Sequence, residues 1–562
     1  MIPRESAFAI LWRAFLEQFV ANESVTSDLQ MRRAIIGVFT FLITPGLFLM
    51  MKTMPDYELM LMVAKARDMP ELIETRLAQL AVLFVSYSMV TTGLLTVFIW
   101  DTLVFDKRDS MVLGPLPVPG KTIVAAKLAA LATFLMGSTV AVNLISGLPF
   151  AFVTGGPAGH LLRHLAAHLS GTIAGAVFVF SALVIVRGLL VLLVSPHFAA
   201  TVGSFLQFVF LSAVLCFMMV PTTMGESSVP IAWFFGLFEL IRGSRVEGID
   251  ALAQRALIAF PLSVAGAVAV TFGGYWHQMR AALAPSARVG ASATIRRRVA
   301  GLMIGHDPIA RGTADFILTT LARSRPQQVP IAIAASLAVA IISVAAATRP
   351  GGFAELQTPR TVVLWIPILI GYWIVVGLRA SFVVPTELPA AWLFRVHSTL
   401  PSVSYWSGVR ASMVAFAIGP ALLVNALVVL PLVGLRTAAI HSVFTCLAVI
   451  VAGQFASLLV DSVPFTRAYP PGHTKLKTRW PLYLLGMFTV AYWPVQAELG
   501  ALRDPADLLQ LITIGVAAIA LLEVIGRRVA LRWTVQPDAE FSDDPESLTT
   551  LNLGQVGVQP EM

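Results

Sequence analysis

The chain has 562 residues, of which 57% are hydrophobic and only 12% are charged, and its mean hydropathy is +0.80. Soluble domains carry about 25% charged residues, so this composition excludes a soluble protein and predicts a polytopic membrane protein. The net charge of +8 does not indicate a nucleic-acid partner. The arginines cluster in loops beside apolar segments, which is the pattern that the positive-inside rule describes for cytoplasmic loops. The lipid bilayer is the expected environment.

A membrane-spanning helix needs about 20 apolar residues, and the chain offers about twelve such segments. In the first half we expect spans near 34–51, 77–100, 122–150, 165–186, 199–221 and 255–275. In the second half we expect them near 329–348, 361–384, 411–434, 437–460, 480–496 and 506–526. The predicted fold class is therefore all-α, a polytopic membrane helical bundle built as two six-helix repeats.

Basic loops set the expected orientation. The connector 276–328 contains eight arginines and only two aspartates, and this excess of positive charge predicts a cytoplasmic location. Alternation of the spans then places both termini and the loop 101–121 on the cytoplasmic side of a bacterial inner membrane. The first apolar run begins near Ala34 behind a charged segment, so we interpret it as a retained span rather than a cleaved signal peptide.

The two halves look like copies of one unit. Val142-Asn143 and Leu148-Pro149 recur as Val424-Asn425 and Leu430-Pro431, each 282 residues later. Each half also opens with an amphipathic segment, AFAILWRAFLEQF from residue 7 and ADFILTTLARSR from residue 314. These matches predict a parallel internal repeat. The predicted domains are a permease half 1–275, a basic connector 276–328, a second half 329–533 and an acidic tail 534–562.

The segment 101–127 reads DTLVFDKRDSMVLGPLPVPGKTIVAAK, a polar, proline-interrupted stretch between two apolar runs. Its GPLPVPGKT resembles a P-loop, but five residues instead of four separate Gly114 from Gly120, and three of them are prolines. Proline lacks the backbone N–H that phosphate binding requires. We therefore expect no nucleotide site, no other cofactor and no enzymatic activity in this chain.

The same segment carries a family resemblance. It reads D-x-x-D, then L-x-P-L-P-V, then A-A-K, at Asp106, Asp109, Leu113, Pro115, Leu116, Pro117, Val118, Ala125, Ala126 and Lys127. Together with the amphipathic leader and the order of spans, this pattern resembles the ABC-2 type permeases, the membrane subunits of bacterial ATP-driven exporters. PFTRAYPPG (464–472) and the stretch from Trp533 to Glu546 are further marks of a double-length version.

In that family the loop before the third span forms a coupling helix that docks on a separate ATPase. The resemblance thus implies a cytosolic ABC ATPase partner, expected as a dimer, and a short helix in 101–121 with solvent-facing charges. The coupling residues implied are Asp106, Lys107, Arg108, Asp109 and Leu116, with Glu387 and Arg395 in the second half. The second-half loop, VPTELPAAWLFRVHS (384–398), lacks LPLPV. Two alternatives follow: either the second half couples to the ATPase through another surface, or only the first half couples to it strongly.

The family also joins its last two spans on the outer side by short helices that dip into the membrane. PIAWFFGLFELIRG (230–243) is similar to that feature, and Pro230 and Gly236 predict a break within it. Glu239 and Arg242 either line an exit path there or lie on a partly exposed amphipathic helix. The candidate translocation-path residues are Glu239, Arg242, Trp233, Asn143 and Asn425.

Two further patterns have alternative interpretations. His160, His164 and His168 share one helical face, as a metal site would require, but no cysteine or carboxylate lies nearby to complete a ligand set. We therefore predict a polar interfacial stripe and no metal. Arg187 interrupts an apolar stretch, where a charge within the membrane marks function. Because the stretch exceeds one span, we favour a marker of the cytoplasmic interface.

The function expected is that of an exporter permease that moves an amphiphilic, lipid-like or peptide substrate with energy from a separate ATPase. The first alternative is a secondary transporter of two six-span halves. Such transporters place ionisable residues in mid-membrane, and the predicted spans contain almost no acidic residue. The second alternative is a membrane scaffold that transports nothing.

Overall fold

A computed structural model describes residues 6–20, 28–105, 107–155, 158–194, 196–219, 229–244, 248–282, 291–347, 360–384, 402–460, 464–465, 480–502 and 504–531. Within these ranges the regular secondary structure is helical, and no strand occurs. The helices divide into two compact units, Met1–Arg288 with Val339–Val344, and Val289–Ala338 with Ala345–Met562.

The first unit contains the helices α1 (Ala7–Val20), α2 (Asp28–Arg67), α3 (Pro70–Phe98), α4 (Lys107–Leu113), α5 (Gly120–Thr154), α6 (Ala158–Leu193), α7 (Pro196–Met219), α8 (Pro230–Arg242) and α9 (Ile249–Ala282). Turn and cap residues explain several boundaries. Pro70 begins α3 in a position where its missing N–H costs nothing. Gly243 ends α8 in the left-handed conformation that glycine adopts without strain.

The second unit contains α10 (Ala291–Ile304), α11 (Pro308–Arg323), most of α12 (Arg325–Ala347), α13 (Arg360–Ser381), α14 (Ser402–Val424), α15 (Leu430–Val433), α16 (Leu435–Leu458), α17 (Trp480–Met487), α18 (Trp493–Ala501) and α19 (Pro505–Leu531). Two π-helical turns interrupt this series, Asn425–Val429 between α14 and α15 and Phe488–Tyr492 between α17 and α18. Asp307 caps α11 by accepting hydrogen bonds from the backbone N–H groups of Ile309 and Ala310.

Nine of the described helical segments are long and apolar enough to cross a membrane, so the protein is a multi-pass helical membrane protein. They are Glu71–Phe98, Gly120–Leu144, His160–Leu193, Ile249–Arg280, Pro326–Ala346, Val362–Ser381, Val403–Val433, Leu435–Leu458 and Pro505–Leu531. All nine coincide with segments predicted to span. The finer prediction of twelve spans in two repeats is not confirmed.

Three predicted spans are not among the nine. The span 34–51 lies in α2, where many side chains are outside the described residues. The span 199–221 coincides with α7, whose described apolar part, Val202–Cys216, is shorter than a full span. The span 480–496 is divided among α17, the second π-helical turn and α18.

The core of the first unit is aromatic and lies where α2, α3, α5, α6 and α8 meet. One cluster comprises Tyr57, Leu77, Leu80, Ala81, Phe84, Phe150, Ala167 and Phe238, and a second comprises Val85, Met89, Ile231, Phe234, Leu237 and Ala256. The stretch 230–243 therefore packs against α6 and α9 as part of this core.

The predicted break in 230–243 is wrong. Helix α8 runs unbroken for 13 residues through Gly236. A Cβ atom at Gly236 would lie 2.5 Å from Cβ of Leu252 and 2.9 Å from the backbone nitrogen of Ala253. The glycine therefore permits close packing of α8 on α9 rather than breaking the helix. With about 1.5 Å of rise per residue, α8 remains too short to cross a membrane.

The second unit is organised around α14 and α16, which pack against each other and against α13 and α19. By contrast, α19 exposes a long apolar surface that includes Leu509, Ile514, Val516 and Leu521. Exposing this surface to water would be unfavourable, whereas contact with lipid chains carries no such cost. The location of the apolar surface agrees with embedding in a membrane.

Candidate functional site

The polar segment between α3 and α5 folds into the short helix α4 and an exposed proline-rich turn. The inner face of α4 packs on α9, where the Ser110 hydroxyl lies 3.4 Å from the Met279 sulfur, and Leu113 is buried beside it. The prolines Pro115, Pro117 and Pro119 follow and are exposed. They prevent α4 from continuing, because an interior proline costs a helix about 3 kcal/mol.

A buried lysine fixes this segment. Lys127 lies on the second turn of α5 and is completely buried, and its Nζ donates to the Val104 carbonyl at 2.7 Å and to Asp109 Oδ2 at 3.0 Å. The same ammonium group lies 4.4 Å from the centre of the Phe105 ring and 5.2 Å from that of Phe15. Lys127 thus joins α1, α4, α5 and the loop residues before α4 through one charge.

A second cation contacts the first residues of the same segment. Arg187 on α6 lies 3.6 Å from Asp101 and stacks on Trp100, with 5.7 Å between its guanidinium carbon and the ring centre. These contacts attach α6 to the end of α3, where the polar segment begins. The role of Arg187 as a marker of the cytoplasmic interface stays a prediction.

Three apolar side chains of the anchored segment are exposed. Met111, Val112 and Leu116 are 60%, 57% and 44% exposed. They lie on α4 and on the proline-rich turn after it, outside the segments long enough to span a membrane. We call Met111, Val112 and Leu116 the apolar loop surface.

The structure corrects one expectation about the coupling residues. Asp109 was expected to face solvent, but its side chain is only 11% exposed because it is paired with Lys127. Leu116 is exposed as expected. The backbone of Lys107 and Arg108 is helical, but their side chains, like Asp106, Glu387 and Arg395, lie outside the described residues. Their coupling roles stay predictions.

Two of the translocation candidates form an ion-pair cluster at the end of α8. Arg242 Nη2 lies 2.6 Å from Glu74 Oε2, and its Nη1 lies 3.4 Å from Glu239 Oε2. Glu239 is 3% exposed, and burial raises the pKa of its carboxyl while the Arg242 charge opposes that rise. Glu239 is therefore in the packed interior, and the partly exposed groups of the cluster are Arg242 and Glu74.

The other translocation candidates are scattered. Trp233 packs against Phe178 within the core around α8. Asn143 is buried and donates to the Ser88 hydroxyl on the preceding span, at 3.0 Å. Asn425 is also buried but donates to the Ser442 hydroxyl on the following span, at 2.6 Å. The asparagines contact different neighbours, so the repeat is not confirmed and stays a prediction.

His164 and His168, two of the three spaced histidines, contact different neighbours. His164 lies 2.8 Å from the Thr154 hydroxyl through Nε2, and His168 packs against the rings of Phe84 and Phe150. Within the described ranges, no group of three or more His, Cys, Asp or Glu side chains could hold a metal ion.

Two charged contacts in the second unit escaped the sequence analysis. Arg410 on α14 pairs with Glu523 on α19 and lies over the Trp406 ring. His441 on α16 pairs with Glu498 on α18, and both side chains are completely buried. Glu498 was missed because the span was predicted to end at residue 496. An isolated charge within or beside an apolar run was the signal that could have identified both contacts.

Comparisons with known proteins add no identification. No family model matches the chain, and no curated protein and no solved structure matches it. The functional argument therefore rests on the residues and contacts described above.

Proposed function

We propose that the chain is the membrane-spanning permease subunit of an ATP-driven exporter of the ABC-2 type. The observation that carries this proposal is the apolar loop surface, which lies beside the buried Lys127–Asp109 ion pair that attaches α4 to α5. An exposed apolar patch on a polar loop favours a protein partner, because water disfavours it and the loop is too short and too polar to enter lipid. The partner would be a cytosolic ATPase, and the substrate an amphiphilic, lipid-like or peptide molecule.

The anchoring contacts explain why such a surface could transmit force. Lys127 ties α4 to α5, which is long and apolar enough to span the membrane, and Arg187 ties the beginning of the segment to α6. A partner that pushes on α4 would therefore move two spanning helices with it. A loosely attached loop would absorb the same motion without passing it on.

The secondary-transporter alternative gains one specific observation. The sequence argument against it was the shortage of acidic residues in the spans, but Glu498 is completely buried and is paired with His441. A buried ionisable pair is the feature that such transporters need. It does not account for the apolar loop surface, so the exporter remains the better proposal.

The test is a matched pair of substitutions in the full-length protein. Met111→Asp places a charge on the apolar loop surface, and Leu59→Asp places one on α2, where the side chain is similarly exposed at 63%. The predicted topology puts Leu59 on the outer side, beyond reach of a cytosolic ATPase. Met111→Asp should abolish co-purification of a Walker-motif ATPase at normal membrane abundance, and Leu59→Asp should leave it unchanged.

Three results would overturn the proposal. They are the absence of any Walker-motif ATPase from the wild-type complex, equal loss of partner in the two variants, and no loss in Met111→Asp. In the last case, activity that follows an ion gradient rather than ATP would favour the secondary transporter.

A further inference from the structure

The second unit encloses a completely buried ionisable pair. His441 Nδ1 lies 2.9 Å from Glu498 Oε2 and 3.1 Å from Oε1, and neither side chain has any exposed surface. The two residues come from different helices, α16 and α18, so the contact depends on helix packing rather than on local sequence. Isolated ionisable groups within a membrane are costly, and pairing lowers that cost.

Unsatisfied polar atoms occur on α16 and on the π-helical turn that contacts it. The Asn425 amide donates to the Ala438 carbonyl at 3.1 Å and to the Ser442 hydroxyl, which places the first π-helical turn beside His441. Three buried atoms here have no hydrogen-bond partner among the described residues: Asn425 Oδ1, His441 Nε2 and Thr445 Oγ1. Each such atom costs about 1–3 kcal/mol, a cost that proteins accept where water or a ligand satisfies it.

The number of protons on the pair determines its charge. In both electrically neutral arrangements, imidazolium with carboxylate or neutral imidazole with carboxylic acid, one hydrogen lies between Nδ1 and the carboxyl group and another lies on Nε2. Removal of one proton leaves Nδ1–H bonded to the carboxylate, a bare Nε2 and a net charge of −1. The proton that enters or leaves is therefore the one on Nε2, the ring atom that has no partner within the described ranges.

The other described charges of the packed helices lie far from the pair or at the surface. Arg379 bonds the Leu459 carbonyl, about 27 Å along α16 from His441 at 1.5 Å per residue. Arg410 lies about 22 Å before Asn425 along α14, with Glu523 and Arg527 beside it. The remaining described titratable groups on α16 and on the elements packed against it are the exposed Arg436, Asp507 and Arg528, the hydroxyls of Tyr372, Tyr405 and Tyr492, and the Cys446 thiol. Arg360 begins α13, and its side chain lies outside the described residues.

The pair also lies near one end of its helices. His441 is six residues from the start of α16, about 9 Å, and Glu498 is three residues from the end of α18, about 4.5 Å. Gly434, with a φ of +84°, makes the one-residue turn before α16. A π-helical turn precedes each contributing region, and such turns are frequent at functional sites. The pair therefore lies within about 9 Å, measured along the helix axes, of the end that the predicted topology places outside.

We propose that His441 and Glu498 form a proton-binding site inside the second unit, with the exchangeable proton on Nε2 of His441 and buried water as its carrier. Uptake forms one N–H bond at Nε2 from a hydronium ion and changes the charge of the pair from −1 to zero. Release reverses both changes. The site does not depend on an ATPase partner, so it can be tested independently of the proposed function.

The experiment is ¹⁵N NMR of the full-length protein, labelled at its nine histidines and reconstituted in lipid nanodiscs. The His441 signals are assigned by their loss in His441→Gln. Over the pH range in which the protein stays folded, Nε2 should change from protonated to bare while Nδ1 stays protonated. Glu498→Gln keeps the shape of the side chain but removes its charge, and it should abolish the transition.

His168 is the internal control, because its Nε2 is also buried, and within the described ranges it has neither a hydrogen-bond partner at Nε2 nor a paired carboxylate. It should show no transition. Constant His441 signals over the whole pH range, or a transition that Glu498→Gln leaves unchanged, would overturn the inference, as would an equal transition at His168. If His441→Gln fails to fold, loss of the signals in His441→Asn provides the assignment.

Discussion

Lys127 and Arg410 occupy similar places in the two units and have different consequences. Each is a buried cation in the first three turns of the helix that follows the predicted coupling loop of its half. Lys127 pairs with Asp109 and so holds α4. Arg410 pairs instead with Glu523 on α19 and stacks on Trp406. The first unit uses its charge to fix a loop, whereas the second uses it to join two long helices.

This difference bears on the proposed coupling surface. The contacts of Lys127 restrain α4, and a restrained surface would lower the entropy cost of docking the proposed partner. Arg410 makes no such contact within the described residues, and Glu387 and Arg395 of the second loop lie outside them. Strong coupling through the first unit therefore remains a proposal.

The largest expected effect comes from Lys127→Met. Removing one partner of a buried ion pair costs about 3–5 kcal/mol, and the lower value applies here because Asp109 retains slight access to water. We expect the free energy of unfolding in a denaturant titration to fall by about 3 kcal/mol and partner co-purification to be lost. Lys121→Met, on the exposed start of α5, is the control and should change neither.

Arg410→Met should lower the stability less than Lys127→Met does, and it should leave partner binding intact. Glu523 keeps a second cation, because Arg527 Nε lies 2.9 Å from its Oε1. We therefore expect the free energy of unfolding to fall by about 2 kcal/mol, below the usual cost of breaking a buried pair. Partner co-purification should persist. If Arg410→Met releases the partner as completely as Lys127→Met does, the functional distinction between the two cations fails.

The smallest expected effect concerns the two amphipathic helices. The Ser6 hydroxyl accepts from the Ala9 backbone at the start of α1, whereas Asp307 caps α11. A hydrogen bond from the Ser404 side chain has the largest effect on the pKa of Asp307 and lowers it. Two backbone N–H groups also lower this pKa, and these hydrogen bonds together outweigh the opposing effect of desolvation. A lowered pKa means that the stabilisation is present above the ordinary aspartate pKa and is lost as the pH falls through the folded value.

Asp307→Asn keeps a capping oxygen and should lower the thermal midpoint only slightly at neutral pH, since asparagine caps about as well as aspartate. The difference between wild type and variant should shrink as the pH falls below about 4. Ser6→Ala should cost about 1 kcal/mol with no such pH dependence. A constant difference for Asp307→Asn down to acidic pH would show that its charge contributes nothing.

Sequence alone determined that the chain is a helical membrane protein and where most of its long helices lie. The nine segments long enough to span all coincide with predicted ones, because the preference of a 20-residue apolar run for lipid is a local property. Proline placement likewise predicted a short helix in the loop before α5, and α4 has seven residues.

Only the tertiary structure decided which side chains meet. Lys127 reaches Asp109 across 18 residues, and His441 reaches Glu498 across 57. Gly236, which predicted a helix break, instead allows α8 to approach α9. Such contacts depend on how helices rotate and pack against one another, and the same local pattern is compatible with several packings. A charge in an apolar run therefore shows that a partner is needed, but only packing identifies it.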